Sequence, residues 1–201
     1  MMDELVREGK VRWAGVCNFT VELLERCETV RHVDSLQPPL SMLNRHARDR
    51  LIPWCREHGT GVIAYSPMAS GLLTGGFSFD RLADDDWRRR AAPFQEPKLT
   101  QALALVDRLR PIAERHGVGV AALAVAWVLA EPGVTGAIVG ARRPDQVESW
   151  LPAADPELTA QDLEKIERAL AATGAETAEP LAPPNVSPER QAAVAGTPPR
   201  G

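Results

Sequence analysis

A chain of 201 residues, 44% of them hydrophobic, is long enough to bury the core of one sizeable domain. Its 23 basic and 27 acidic residues leave a net charge of −4, which argues against a general nucleic-acid binder built on a basic stripe. No apolar run approaches the roughly 20 residues needed to cross a bilayer, and the acidic, polar opening MMDELVREGK does not read as a signal peptide.

Cys17, Cys27 and Cys55 have no CxxC spacing and cannot all pair, which predicts reduced thiols in a cytoplasmic protein. MDELVREGK predicts the end of a helix, stopped by Gly9. Val11 to Phe19, apolar and bounded by turn residues, predicts a buried strand. Thr20 is placed to cap the helix VELLERCETV, with Glu22 in the first turn, where negative charge suits the helix dipole. VDSLQ, from Val33, predicts a second strand that stops at Pro38-Pro39, because proline cannot continue a ladder. RHARDRLIPWCREHG predicts a helix ending at Gly59, in which Pro53 either kinks the helix or begins a second segment.

Gly61 to Pro67 (GVIAYSP) predicts a third strand buried on both faces, running into the small-residue loop MASGLLTGG. Phe77 to about Pro97 has no periodicity and predicts a long functional or mobile loop. Leu103, Val106, Leu109 and Ile112 set a helix over Leu99 to His116, with Gly117 as its stop, and Ala121 to Ala130 predicts an almost wholly apolar one. Gly136 to Ala141 predicts a fourth strand, followed by a short helix with Pro144 in its first turn. Thr159 caps a last amphipathic helix, and residues 174–201 form an Ala/Pro-rich tail predicted to be disordered. Apolar strands alternating with helices imply a parallel α/β sheet, either a doubly wound open sheet or part of a (β/α)₈ barrel.

Ligands of parallel α/β folds sit at the carboxyl ends of the strands. Those positions here are Cys17-Asn18-Phe19, Gln37, Tyr65-Ser66-Pro67 and Gly140-Ala141-Arg142-Arg143. Two arginines before a helix start make a phosphate site, or else they are solvated surface charges. Tyr65 offers a ring to stack on a flat ligand, or it is a core tyrosine. The amides of Asn18 and Gln37 suit a carboxamide, or they satisfy loop backbone. His58 and His116 precede glycines at helix ends and read as structural, while His32 and His46 have no metal-ligand spacing. No serine lies in GxSxG and no carboxylates pair at strand ends, so no catalytic set and no metal site is found.

REGKVRWAGVCNF, DSLQPPLSMLNR, GVIAYSPMASGLLTGGF and GAIVGARRPDQVE, in this order over about Met2 to Thr173, resemble the aldo-keto reductase family. That family folds as a (β/α)₈ TIM barrel, and the resemblance implies that residues 1–173 are a partial barrel, strands 5 to 8 with their helices. It implies that Cys17, Asn18 and Gln37 hold a nicotinamide carboxamide, that Tyr65 stacks on the ring, and that Ser66, Met68, Ser70 and Leu72 line the pyrophosphate side. Gly140, Arg142 and Gln146 fall at the adenosine end, where an arginine suits the 2′-phosphate of NADP (NADPH).

Four positions depart from the family pattern: Cys17 replaces a serine, Gly76 replaces a lysine, and Ser149-Trp150 replace an acid and an amide. The family's catalytic Asp, Tyr, Lys and His belong to strands 1 to 4. The chain is therefore expected to be a truncated, inactive reductase lacking the half that reduces a small carbonyl substrate. The alternatives are a non-catalytic half-barrel that forms a homo-oligomer or pairs with a complementing N-terminal half, and an open-sheet phosphate-ligand binder. Neither nucleic acid nor membrane is an expected partner.

Overall fold

The computed structural model describes residues 2–175 as four parallel strands alternating with helices. Residues 176–201, which hold nearly all of the predicted tail, lie outside the described residues. Helix α1 (Met2–Arg7) is stopped by Gly9 at φ 71°, a left-handed value that glycine adopts without strain. The strands are β1 (Gly15–Cys17), β2 (Ser35–Gln37), β3 (Gly61–Tyr65) and β4 (Val134–Ile138). Between and after them run α2 (Val21–Glu28), α3 (Leu51–His58), α4 (Lys98–Arg115), α5 (Val120–Leu129), α6 (Pro144–Trp150) and α7 (Ala160–Thr173). The strands pair in the sequential order β1-β2-β3-β4. This order contains no reversal, so the sheet has no switch point of the doubly wound kind.

Local signals set the helix starts. Thr20 Oγ1 accepts the Leu23 amide at 3.4 Å to open α2. At α7, Thr159 Oγ1 accepts the Asp162 amide at 3.2 Å while Asp162 Oδ2 accepts the Thr159 amide at 3.0 Å, a reciprocal cap. Pro53 falls in the first turn of α3, where its missing N–H leaves no partner unmet, and His46–Arg48 forms a separate 3₁₀ turn. The segment therefore starts a second helix rather than kinking one.

Two expectations about the strands are corrected. Val11 to Phe19 yields only the three paired residues of β1, and Gly15 and Cys17 are exposed on the sheet face that no helix covers while Val16 packs on the core. The β3 strand is not buried on both faces: Val62 and Ala64 are fully buried, whereas Gly61, Ile63 and Tyr65 are half-buried. Helices cover one sheet face only, and Leu36, Val62 and Ala64 form its floor. The fourth strand runs two to three residues earlier than the expected Gly136 to Ala141.

Nine of the ten residues of α5 are buried, as an all-round apolar helix requires. No single helix among the described residues is long and apolar enough to cross a membrane. The α4–α5 pair, which passes that test only when joined, is bent by 84°. Arg48 ties the core's rim together, bridging Glu131 (2.8 Å) and Glu167 (3.3 Å) with its guanidinium 5.4 Å from the Trp127 ring centroid.

Gly133 starts the turn into β4 at φ 104°. A Cβ there would lie 2.6 Å from Arg56 Cγ and 2.9 Å from Ile52 Cγ2. Gly133→Ala is therefore expected to lower stability by about 3 kcal/mol, from backbone strain and overpacking together. Urea unfolding checks this; an unchanged midpoint would rule out the turn as described.

Candidate functional site

At the carboxyl end of the sheet, Cys17 stands in register with Gln37, and the Asn18 amide donates to the Gln37 carbonyl at 3.2 Å. Tyr65 closes β3 beside them. Its phenol donates to Asn18 Oδ1 at 2.8 Å, which joins the ends of β1 and β3 above β2. Burial pushes the phenol above its ordinary pKa, Cys17 adds to the rise, and the Asn18 bond opposes it. The phenol therefore keeps its proton at neutral pH and acts as a donor. Asn18 and Ser66 both sit at φ 59°, the left-handed region that non-glycine residues rarely adopt and that clusters at functional sites.

From Tyr65 a cleft of about 830 Å³ runs between the chain after β3 and the β4–α6 connection. Its walls include Tyr65, Ser66, Met68, Ser70 and Gly71 on one side, and Gly140, Arg142, Gln146 and Trp150 on the other. The Phe77 to Pro97 segment forms a third wall through Arg81, Trp87 and Arg88. That segment is not an open loop: it carries three 3₁₀ turns, at Phe79–Arg81, Trp87–Arg89 and Ala92–Phe94. Aromatic contacts bind them together, Phe77 on Phe94 at 5.2 Å and Trp87 on Phe94 at 5.8 Å. Sequence reading missed these residues because the signal is an aromatic cluster without periodicity.

Seven of the eleven residues singled out from sequence line this cleft: Tyr65, Ser66, Met68, Ser70, Gly140, Arg142 and Gln146. Cys17, Asn18 and Gln37 stand next to it around the Tyr65 phenol. Leu72 does not belong to the wall; it is 1% exposed and packs in the core, because the 3₁₀ segment Ala69–Thr74 turns it inward.

The phosphate reading of the arginine pair is also refined. Gln146 Oε1 accepts the main-chain amides of Arg142 (2.7 Å) and Arg143 (3.3 Å), so those amides are engaged within their own turn. Arg143 forms a forked pair with Asp145 at 3.0 and 2.9 Å, which holds the Asp145 carboxyl below its ordinary pKa. Arg142 differs. Its guanidinium makes no hydrogen bond or ion pair among the described residues, and its charge reaches the Asp86 carboxylate. The cleft thus has an aromatic hydrogen-bonding end at Tyr65 and an available cation at Arg142, a layout that suits an elongated anionic ligand with a flat ring.

Three of the four histidines have structural partners. His58 stacks on Trp54 with centroids 3.9 Å apart and contacts the Trp54 carbonyl, and His116 lies 3.1 Å from the buried Asp162 carboxylate. His32 contacts Glu28 at 3.1 Å, and no group of three metal-ligating side chains occurs among the described residues.

The three cysteines are free. Cys55 is buried, which pushes its thiol up to about 11, while Cys17 is exposed with a smaller upward shift from partial desolvation. Iodoacetamide is therefore expected to label Cys17 before Cys55, faster as pH rises toward its raised pKa, with Cys55 reacting only after unfolding. Peptide mapping by mass spectrometry reads the order; early Cys55 labelling in the native protein would contradict its burial.

A model of the Aldo/keto reductase family matches residues 1–171. The chain is 31% identical over 188 residues to aldo-keto reductase YhdN of Bacillus subtilis, an alignment covering 92% of this chain and 57% of that protein. It is 29% identical over 162 residues to the NADH-specific methylglyoxal reductase of Escherichia coli, covering 81% of this chain and 49% of the relative. The structure of the glycerol dehydrogenase AKR11B4 from Gluconobacter oxydans superposes with a TM-score of 0.81 at 32% identity, over 89% of this chain and 55% of that one. The chain spans about half the length of these relatives. On the family match and the YhdN alignment, this chain belongs to the aldo/keto reductase family.

Proposed function

We propose that residues 1–173 form strands 5 to 8 of a (β/α)₈ barrel and the cofactor-holding half of an NADPH-dependent reductase of aldehydes or ketones. The observation that carries this reading is the single cleft joining Tyr65, the left-handed turn at Ser66 and Ser70, and the available Arg142. Its size lies within the usual range for small-molecule and cofactor pockets. The nicotinamide cofactor, when bound, supplies the hydride. Asn18 and Gln37 hold its carboxamide beside Cys17, and the Tyr65 ring covers one face of the nicotinamide. Ser66, Met68 and Ser70 flank the pyrophosphate, and Arg142 meets the 2′-phosphate. A protonated phenol bound to Asn18 fixes the Tyr65 ring in place, a positioning role. One carboxylate lines the cleft, Asp145, and it is paired with Arg143; no histidine, lysine or glutamate among the described residues joins it. With the Tyr65 phenol committed to Asn18, proton transfer to a carbonyl is expected to need groups beyond the described residues, and the isolated chain is expected to bind cofactor without turnover. A cytoplasmic location accords with the free thiols.

NADPH titration followed by tryptophan quenching tests the reading: saturable binding is expected, and a folded chain that ignores NADPH and NADH would sink it. An assembly role is favoured by a separate observation. Gly15, Cys17 and Ile138 lie exposed on the helix-free face, and β1 and β4 are edges with unpaired backbone. Sedimentation is expected to detect self-association or pairing with a complementing N-terminal half, and a monomer that ignores that half would remove this second role.

A further inference from the structure

The turn after β3 holds an improbable conformation. Ser66 (φ 59°), Ala69 (48°), Ser70 (54°) and Gly71 (106°) all lie at left-handed values, and three of them carry a Cβ. Such residues persist only where their surroundings hold them. The hold comes from across the cleft. Arg88 Nη1 donates to the Ser70 carbonyl at 3.2 Å, and the same guanidinium grips Asp86 through Nε (2.9 Å) and Nη2 (2.7 Å). Asp86 Oδ1 also accepts the Arg88 main-chain amide at 3.0 Å. Both side chains are largely buried, Arg88 at 15% and Asp86 at 6% exposed. The next residue anchors this strap: Arg89 donates to the carbonyls of Phe79 (2.9 Å), Leu82 (2.8 Å) and Ala83 (2.9 Å).

We propose that Arg88, oriented by Asp86, is a positioning residue that fixes the Ser66–Gly71 turn in the conformation that receives the phosphates of a dinucleotide. This rests on the cofactor reading above. Although Arg88 lines the cleft, it is poorly placed to meet an anion itself. Its Nε and Nη2 face a carboxylate that neutralises its charge, and Nη1 is engaged by Ser70. Arg142, by contrast, stands available on the opposite wall. Hydrogen bonds from Arg88 also hold the Asp86 carboxyl far below its ordinary pKa, with Arg142 adding to the effect, so the strap stays intact at mildly acidic pH.

The test uses the full 201-residue chain with Arg88→Ala, Arg88→Lys and Asp86→Asn. Two readouts are taken, amide hydrogen exchange and the Kd for NADPH at several salt concentrations. All three variants are expected to speed exchange over residues 66–76 while α4 and α5 stay protected, which shows that they fold. Each is expected to weaken NADPH about tenfold with the salt dependence of the parent chain. Unchanged exchange in the turn overturns the proposal. So does an Asp86→Asn variant that binds NADPH as tightly as the parent while Arg88→Ala does not, since that pattern marks a direct phosphate contact. A parent chain that binds no NADPH, but whose turn loosens in the variants, overturns the cofactor reading and leaves the strap in place.

Discussion

Arg142→Ala is expected to weaken NADPH binding roughly ten- to hundredfold while leaving NADH binding within about twofold of the parent chain. The reason lies in what surrounds the two arginines at the start of α6. Arg143 is forked onto Asp145, and the turn's own amides are taken by Gln146. Arg142 is the cation on that wall whose guanidinium makes no hydrogen bond or ion pair among the described residues, so a 2′-phosphate would find its partner there. A charge-assisted bond to a phosphate contributes more than a neutral one and cannot be replaced by water without loss. Arg143→Ala is expected to change affinity little. Fluorescence titration with both nucleotides decides the matter. Tighter binding of NADH than of NADPH by the parent chain, with neither moved by Arg142→Ala, would point to the NADH preference borne by one relative's name.

The largest expected loss of stability comes from Asp162→Ala, at about 3–5 kcal/mol. Asp162 is 1% exposed, with hydrogen bonds at one carboxylate oxygen and an ion pair at the other. Oδ2 accepts the Thr159 amide (3.0 Å) and hydroxyl (2.8 Å) and lies 3.1 Å from His116 Nε2, while Oδ1 pairs with Arg115. One side chain thus caps α7 and ties it to the end of α4. Alanine removes the cap and leaves the Thr159 amide and His116 without a buried partner. For a chain of this size the thermal midpoint is expected to fall by about 10 °C. Calorimetry that finds a drop of only a degree or two would show the network to be dispensable.

Much of this architecture is legible in the residues themselves. Gly9, Gly59, Gly117, Thr20 and Thr159 end or begin the helices they were expected to, because caps are local chemistry that needs no tertiary partner. The alternation of strands with helices foretells a parallel sheet because a helical crossover brings the next strand back in the same direction. Pro53 shows the limit of local reading: proline either kinks a helix or starts one, and only the position of the preceding 3₁₀ turn selects the start.

The site divides along the same line. That Tyr65, Ser66 and Arg142 follow strand ends comes from sequence position, and Ser70 was implied by the family resemblance. That Leu72 turns inward comes from neither, because its direction depends on left-handed residues that no periodicity announces. Arg142 and Arg143 are indistinguishable as letters. Only the folded turn commits one of them to Asp145 and leaves the guanidinium of the other uncommitted on the same wall.

By itself, then, the sequence determined the order of the strands and α-helices, the capped helix ends and the set of strand-end residues, since each rests on interactions within a few positions of the chain. The tertiary structure alone decided which sheet face is covered, which strands are edges, and which wall of the cleft the segment from Phe77 to Pro97 supplies. Those outcomes depend on contacts between residues far apart in the chain, such as Arg88 with Ser70 or Tyr65 with Asn18, and such contacts exist only after the chain has packed.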